Sequence, residues 1–159
     1  MVSDNNEALF LSESIDVFSE SLKQSVECMF GMETSVVTQW EVTERLICNC
    51  HHNILMGCGN SGYQGMIAMG LGEKDAQCFG FSGHDELLDV FGELLNNFCG
   101  ILMDDECVTE HLGVLTQCIP QYVQIGAFLP KASSCSGYLN VDNGSRLFFG
   151  FSIKKNRTL

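Results

Sequence analysis

Glu93 and Asn96 are the residues whose types and spacing point most directly to chemistry. Three positions apart on a helix, a carboxylate and a carboxamide stand beside each other on one face. The carboxylate carries a negative charge and accepts hydrogen bonds. The carboxamide both donates and accepts. On rigid backbone the two present these capacities at a fixed separation.

Other chemistry-bearing residues compete with this pair. Cys48, Cys50, His51 and His52, with Cys58 shortly after, form a dense run of metal-ligand types, so a metal-binding protein is an alternative reading. In a strand, Cys48, Cys50 and His52 share one face. A structural zinc site spaces its cysteines by about two to four residues, however, whereas Cys-x-Cys at the strand period is commonly packing. We therefore assign no metal ligand. His84 and His111 are potential bases, but nothing near either in sequence builds a triad, and His84 belongs to the cap region of the helix that follows. The glycine-rich stretch 57–65 lacks the Gly-Lys-Ser/Thr ending of a phosphate loop and reads as turn chemistry.

Residues 85–103 form the clearest helix. Leu87, Phe91, Leu94, Phe98 and Ile101 fall on one side of a helical wheel, an apolar stripe suited to lie on a sheet. Glu86, Asp89, Glu93, Asn96, Asn97 and Gly100 fall on the other. Gly92 and Gly100 each cost roughly 1 kcal/mol of helix propensity relative to Ala. Close approach of another molecule is one physical reason to keep a glycine there.

The elements around this helix alternate in type. An earlier helix spans 12–30, with Ile15, Phe18, Leu22, Val26 and Met29 at helical spacing and Ser12 or Ser14 as its cap. Residues 35–71 break into short apolar runs, an antiparallel meander with a hairpin near 60–62. A short helix starts at Gly72, and another turn or two follows around 107–113. Residues 122–128, 137–141 and 146–153 read as strands, the last two joined by a tight turn at Asn143–Gly144. The order of elements predicts an α+β fold in mixed layers over a single domain, 1–159, with residues 1–11 and 154–159 frayed.

Composition narrows the function. The net charge is −12 with 8 Lys and Arg, which argues against nucleic acid and against an anionic membrane surface. It suits a protein partner with a basic or mixed docking face. Nine cysteines, an odd number lying mostly in apolar runs, together with an N-terminus unlike a secretory signal, predict a reducing, cytoplasmic setting. No stretch approaches the roughly 18 apolar residues of a membrane span.

The stretch 89–100 resembles the signature helix of the CheX and CheC-like chemotaxis phosphatases: an acidic residue (Asp89), then Gly92–Glu93, two residues, Asn96, and Gly100 four positions on. The order of elements is similar over nearly the whole chain. Leu95 departs from the pattern, standing where the family usually has a small residue. The first helix lacks the second Glu-x-x-Asn common in the CheC branch, so the resemblance is to the one-site CheX arrangement. It implies a CheC-like fold, with long helices on one face of a largely antiparallel sheet. It also implies hydrolysis of the aspartyl phosphate on a CheY-like receiver, with Glu93 and Asn96 catalytic and Asp89, Asn97 and Gly100 docking the partner. Magnesium would arrive on the receiver, this chain binding no cofactor of its own, and the active form would be a homodimer. The alternative within the same resemblance is a receiver-binding module without catalysis.

Overall fold

A computed structural model of the chain describes residues 2–36, 40–81, 83–124 and 127–157. Helices α1 (Val2–Glu13) and α2 (Ile15–Phe30) come first. Strands β1 (Thr34–Val36), β2 (Glu41–Thr43), β3 (Ile47–Cys48), β4 (His52–Gly59) and β5 (Tyr63–Leu71) follow. Next are helices α3 (Glu73–Cys78), α4 (His84–Met103) and α5 (Glu106–Leu112). The chain closes with strands β6 (Thr116–Gln117), β7 (Gln121–Val123), β8 (Ala127–Phe128), β9 (Ser133–Val141) and β10 (Arg146–Lys155).

The principal sheet runs β1-β9-β10-β5-β4-β6, with β2 also on β9 and β7 also on β4; every pairing is antiparallel. β3 and β8 pair separately. This is the α+β architecture the order of elements predicts.

Side chains alternate across a strand, so each central strand contributes to two faces. Leu147, Phe149, Phe151 and Ile153 of β10, with Ile67, Met69 and Leu71 of β5 and Ile54, Met56 and Cys58 of β4, join the larger core. The register keeps these sets aligned: Phe149 lies opposite Met69, Phe151 opposite Ile67, and Met56 opposite Ile67. Their neighbours Phe148, Ala68 and Leu55 face the other way, into a smaller cluster with Leu46 and Cys48. The helices cover the first face. α4 packs on β4, β5 and β7, α2 packs on α4, and α1 lies against β9 and β10. The buried positions of α4 include Leu87, Phe91, Leu94 and Phe98 of the expected stripe, joined by Leu95 and Leu102, whereas Ile101 is only half-buried.

Both hairpins anticipated from the sequence form. Asn60 Oδ1 accepts from the backbone N–H groups of Gly62 and Tyr63, closing the β4–β5 turn. At the β9–β10 turn, Gly144 takes φ +88°, and its N–H donates to Val141 O at 3.0 Å. Asn143 keeps a negative φ, so the connection is longer than a two-residue turn, with glycine alone in the left-handed position.

The described residues of both expected frayed ends, 2–11 and 154–157, are held by the rest of the chain. Residues 2–13 form α1, anchored by Phe10 and Leu11, which are buried in the main core. Lys154 and Lys155 extend β10 opposite Gln64 and Tyr63, and Asn156 N–H donates to Gly62 O. The backbone of β5 and of Gly62 before it gives these residues hydrogen-bond partners, which tail composition does not reveal. The proposed single helix over 12–30 is instead two, separated at Ser14, whose side chain makes no cap bond. Val37 and Thr38, read as strand, and Ile125 and Gly126 lie outside the described residues. No described helix is long and apolar enough to cross a membrane.

Phe98 is fully buried, its ring 4.6 Å from that of Phe149 in an edge-on pair. Phe98→Ala is expected to cost about 3–5 kcal/mol of unfolding free energy. Urea denaturation reads this as a lower midpoint at unchanged slope; an unchanged midpoint would remove Phe98 from the set that holds α4 to the sheet.

Candidate functional site

Burial of the apolar stripe fixes the rotation of α4 and so determines what faces out. Asp89, Glu93, Asn97 and Gly100 are exposed, and Asn96 is half-buried at the boundary. All five residues assigned to catalysis or docking therefore lie along the outer side of one 20-residue helix. Asn96 Nδ2 donates to Glu93 Oε2 at 3.5 Å. That length marks a weak bond, which a stronger partner would displace at little cost. Leu95, the departure from the family pattern, is fully buried in the main core, away from the exposed face that carries Glu93.

The two glycines of the helix separate in role. A Cβ on Gly92 would come within 3.2 Å of Pro120 Cβ and Cγ, so the close neighbour there is the chain's own Pro120, and Gly92 is buried. This corrects the sequence-based expectation of an outside molecule at that position. Around Gly100 nothing lies within 4 Å, and the residue is exposed.

A strap from α5 to β7, missed in the sequence, borders the site. Gln117 Nε2 donates to the backbone carbonyl of Asn96 at 3.4 Å, while Cys118 N–H donates to Gly57 O on β4. The strap is thereby tied to the sheet edge and the helix at once. Its Ile119 is 85% exposed, an apolar side chain next to the proline that touches the helix. Asn60 steadies the start of the strap by donating to Leu112 O and Val114 O. Nothing local in the sequence marks these links, which join residues more than twenty positions apart.

At the N-terminal end of α4, His84 stacks on Tyr122 with ring centroids 4.4 Å apart. His52 Nδ1 hydrogen-bonds the Tyr122 hydroxyl. Burial, then the neighbouring His51 and His84, lower the His52 pKa, partly offset by Glu73. His111 stacks on Phe10 at 4.1 Å. These histidines are packing and anchoring groups around the helix ends. The proposed ligand run is divided by the sheet: Cys48 belongs to the smaller cluster and Cys58 to the helix-side core. A bend over 49–51 also takes Cys50 out of any strand shared with His52. Among the described residues, no group of three or more His, Cys, Asp or Glu is placed to hold a metal ion.

Comparison with known structures adds to this geometry. CheX from Desulfovibrio desulfuricans matches with TM-score 0.68 at 13% identity, over 89% of this chain and 99% of that one. CheX from Vibrio vulnificus gives 0.67 at 15%, over 89% and 99%. The chain has the CheC-like fold. A third neighbour with this fold is the CheX of Borrelia burgdorferi, solved in complex with CheY, BeF3 and Mg2+; it matches with TM-score 0.54 at 12% identity, over 88% and 97%. No family model matches the chain, and no curated protein matches its sequence. The CheC-like likeness therefore lies in architecture, at identities where side chains must be argued one by one.

Two outcomes test the packing around the helix. Gly100→Ala is expected to raise stability by roughly 1 kcal/mol, since the new methyl meets nothing and the helix gains propensity. A loss of stability on urea denaturation would mean the position is not open. For His52, a folded pKa below the ordinary value near 6.5 means the unfolded chain binds more protons in that window. Stability from this residue is thus present above about pH 6.5 and falls as the pH drops below it. His52→Gln should flatten the decline in melting temperature between about pH 7.5 and 5.5; an equally steep decline in the variant would clear His52 of the effect.

Proposed function

We propose that this chain is a phosphatase of the CheX type, hydrolysing the aspartyl phosphate of a CheY-like receiver domain. The observation that carries the proposal is the exposed Glu93–Asn96 pair, side by side on the outer face of the rigid α4 within a CheC-like fold. The CheY partner of the Borrelia neighbour supports a receiver as the class of partner.

An acyl phosphate is already activated, so catalysis needs position and electrostatics more than covalent help. Docking replaces the weak Glu93–Asn96 contact. The Asn96 amide then holds a water in line with the phosphorus, accepting from the water through Oδ1 while Nδ2 donates to a phosphoryl oxygen. The water oxygen bonds to phosphorus as the bond to the aspartate oxygen breaks, and the aspartate leaves as carboxylate. Glu93 pairs with a lysine beside the receiver's phosphoaspartate and sets the register of the dock. Magnesium, carried by the receiver, supplies charge neutralisation at the phosphoryl oxygens. Asp89 and Asn97 add polar contacts along the same face, Gly100 admits the receiver backbone closely, and the exposed Ile119 offers an apolar contact at the rim.

Mixing phosphorylated receiver with the chain and its variants tests the roles. Asn96→Ala should slow phosphate release on the order of 100-fold with binding largely kept. Glu93→Ala should weaken both binding and turnover. Gly100→Ala should weaken receiver association while stabilising the free chain. Equal phosphate release by wild type and Asn96→Ala would reject Asn96 as the catalytic group. Normal receiver binding with no acceleration by wild type would leave a binding module in place of an enzyme.

A further inference from the structure

On the sheet face away from the helices, the chain turns back between β3 and β4 and brings Cys48 and Cys50 together. Both sulfurs occupy the space above Gly70 of β5. A Cβ there would collide with Cys50 and lie 3.3 Å from Cys48 Sγ, so the strand passes beneath the pair only because position 70 is glycine. Asn53, fully buried, holds the turn. Its Oδ1 accepts from Cys50 N–H at 2.9 Å and from Cys48 Sγ at 3.1 Å. Its Nδ2 donates to Cys50 O at 2.9 Å and to Val123 O at 3.0 Å. Cys48 is fully buried, whereas Cys50 is half-buried and reachable from solvent.

We propose that Cys48 and Cys50 form a reversible redox dithiol, in which Cys50 attacks a small hydroperoxide and Cys48 resolves the product to a Cys48–Cys50 disulfide. The electrostatics distinguish the two thiols in the sense this division needs. Interaction with the adjoining Cys48 thiol lowers the Cys50 pKa, against opposing effects of burial and of Asp75. Interaction with Cys50, then burial, raises that of Cys48. Thiolate character is what makes a cysteine nucleophilic.

In the first step the Cys50 thiolate bonds to the terminal peroxide oxygen, the O–O bond breaks, and the alkoxide leaves (hydroxide from hydrogen peroxide), giving a sulfenic acid. In the second, the Cys48 sulfur bonds to the Cys50 sulfur, and the sulfenic hydroxyl departs as water with the Cys48 proton. The alkoxide or hydroxide released first takes up the proton lost when the Cys50 thiol ionised. Overall the two thiols give up two hydrogens and two electrons, and one hydroperoxide becomes water and an alcohol, or two waters from hydrogen peroxide. A dithiol reductant reverses the change by thiol–disulfide exchange. This chemistry is independent of the phosphatase reading, since the cysteines lie on the opposite face of the sheet from α4.

The test uses the full chain and hydrogen peroxide, followed by alkylation of the remaining thiols under denaturing conditions. Cleavage after Arg45 and Lys74 releases one peptide carrying Cys48, Cys50 and Cys58. The expected result is a peptide two hydrogens lighter, with fragment ions placing the bond between Cys48 and Cys50, Cys58 alkylated, and full reversal by dithiothreitol. In Cys48→Ser, Cys50 should instead accumulate as a sulfenic acid trapped by dimedone, at several times the wild-type yield. Cys48 and Cys50 both remaining alkylatable in wild type, under peroxide that oxidises the exposed Cys28, Cys78 or Cys107, would overturn the proposal whatever the variant does.

Discussion

The rotation of α4 about its own axis governs the functional surface, and burial sets that rotation. Phe91 and Phe98 are fully buried, Phe98 against Phe149 of the sheet and Phe91 against Phe30, Phe79 and Phe81. Turning the helix by one residue, about 100°, would expose aromatic surface and bury carboxylates. Each of those changes costs kilocalories, because buried apolar side chains contribute roughly 1.5–3 kcal/mol each and an unpaired buried charge costs more. Glu93 and Asn96 are outside because the aromatics are inside. Ion pairing adds little to this: the two described salt bridges, Lys23–Glu20 and Lys131–Glu44, are both 3.8 Å long, and both have a well-exposed partner.

The sheet imposes the matching constraint from below. β5 and β10 are buried on both faces along most of their length, and the period of two assigns alternate residues to two cores. A slip of one residue would send Phe149 and Phe151 to the back and Phe148 to the helix side, so the register has essentially one solution. The platform under α4 is therefore rigid. A pair of side chains meant to meet a partner's reactive centre needs that rigidity, since small misplacements are costly in catalysis.

What was legible in the sequence follows from where the signal lies. α4 announces itself because its apolar residues recur at the helical period, and the same wheel separates Glu93 and Asn96 from the core. Both long hairpins were readable from their Asn and Gly turn residues. α1 was not: apolar residues cluster at 8–11 without helical periodicity, and the segment is held by tertiary burial of Phe10 and Leu11. The strap carrying Gln117 and Pro120 was equally hidden, because its contacts to Asn96 and Gly92 span more than twenty residues and neither end carries a local mark. The Cys-His run hid its arrangement for a related reason. Its spacing fits a strand with Cys48, Cys50 and His52 on one face, but the chain bends at 49–51, so Cys48 and Cys50 instead gather over Gly70.

Mapping the docking surface by NMR bears most directly on whether the outer face of α4 meets a receiver. Isotope-labelled chain would be titrated with an unlabelled CheY-like receiver held in its active form by beryllium fluoride and magnesium. Chemical-shift changes and line broadening should concentrate on Asp89, Glu93, Asn96, Asn97 and Gly100, extending to Gln117 and Ile119 on the strap. Saturable binding that perturbs another surface, with the amides of residues 89–100 unmoved, would contradict the assignment of this helix as the working face.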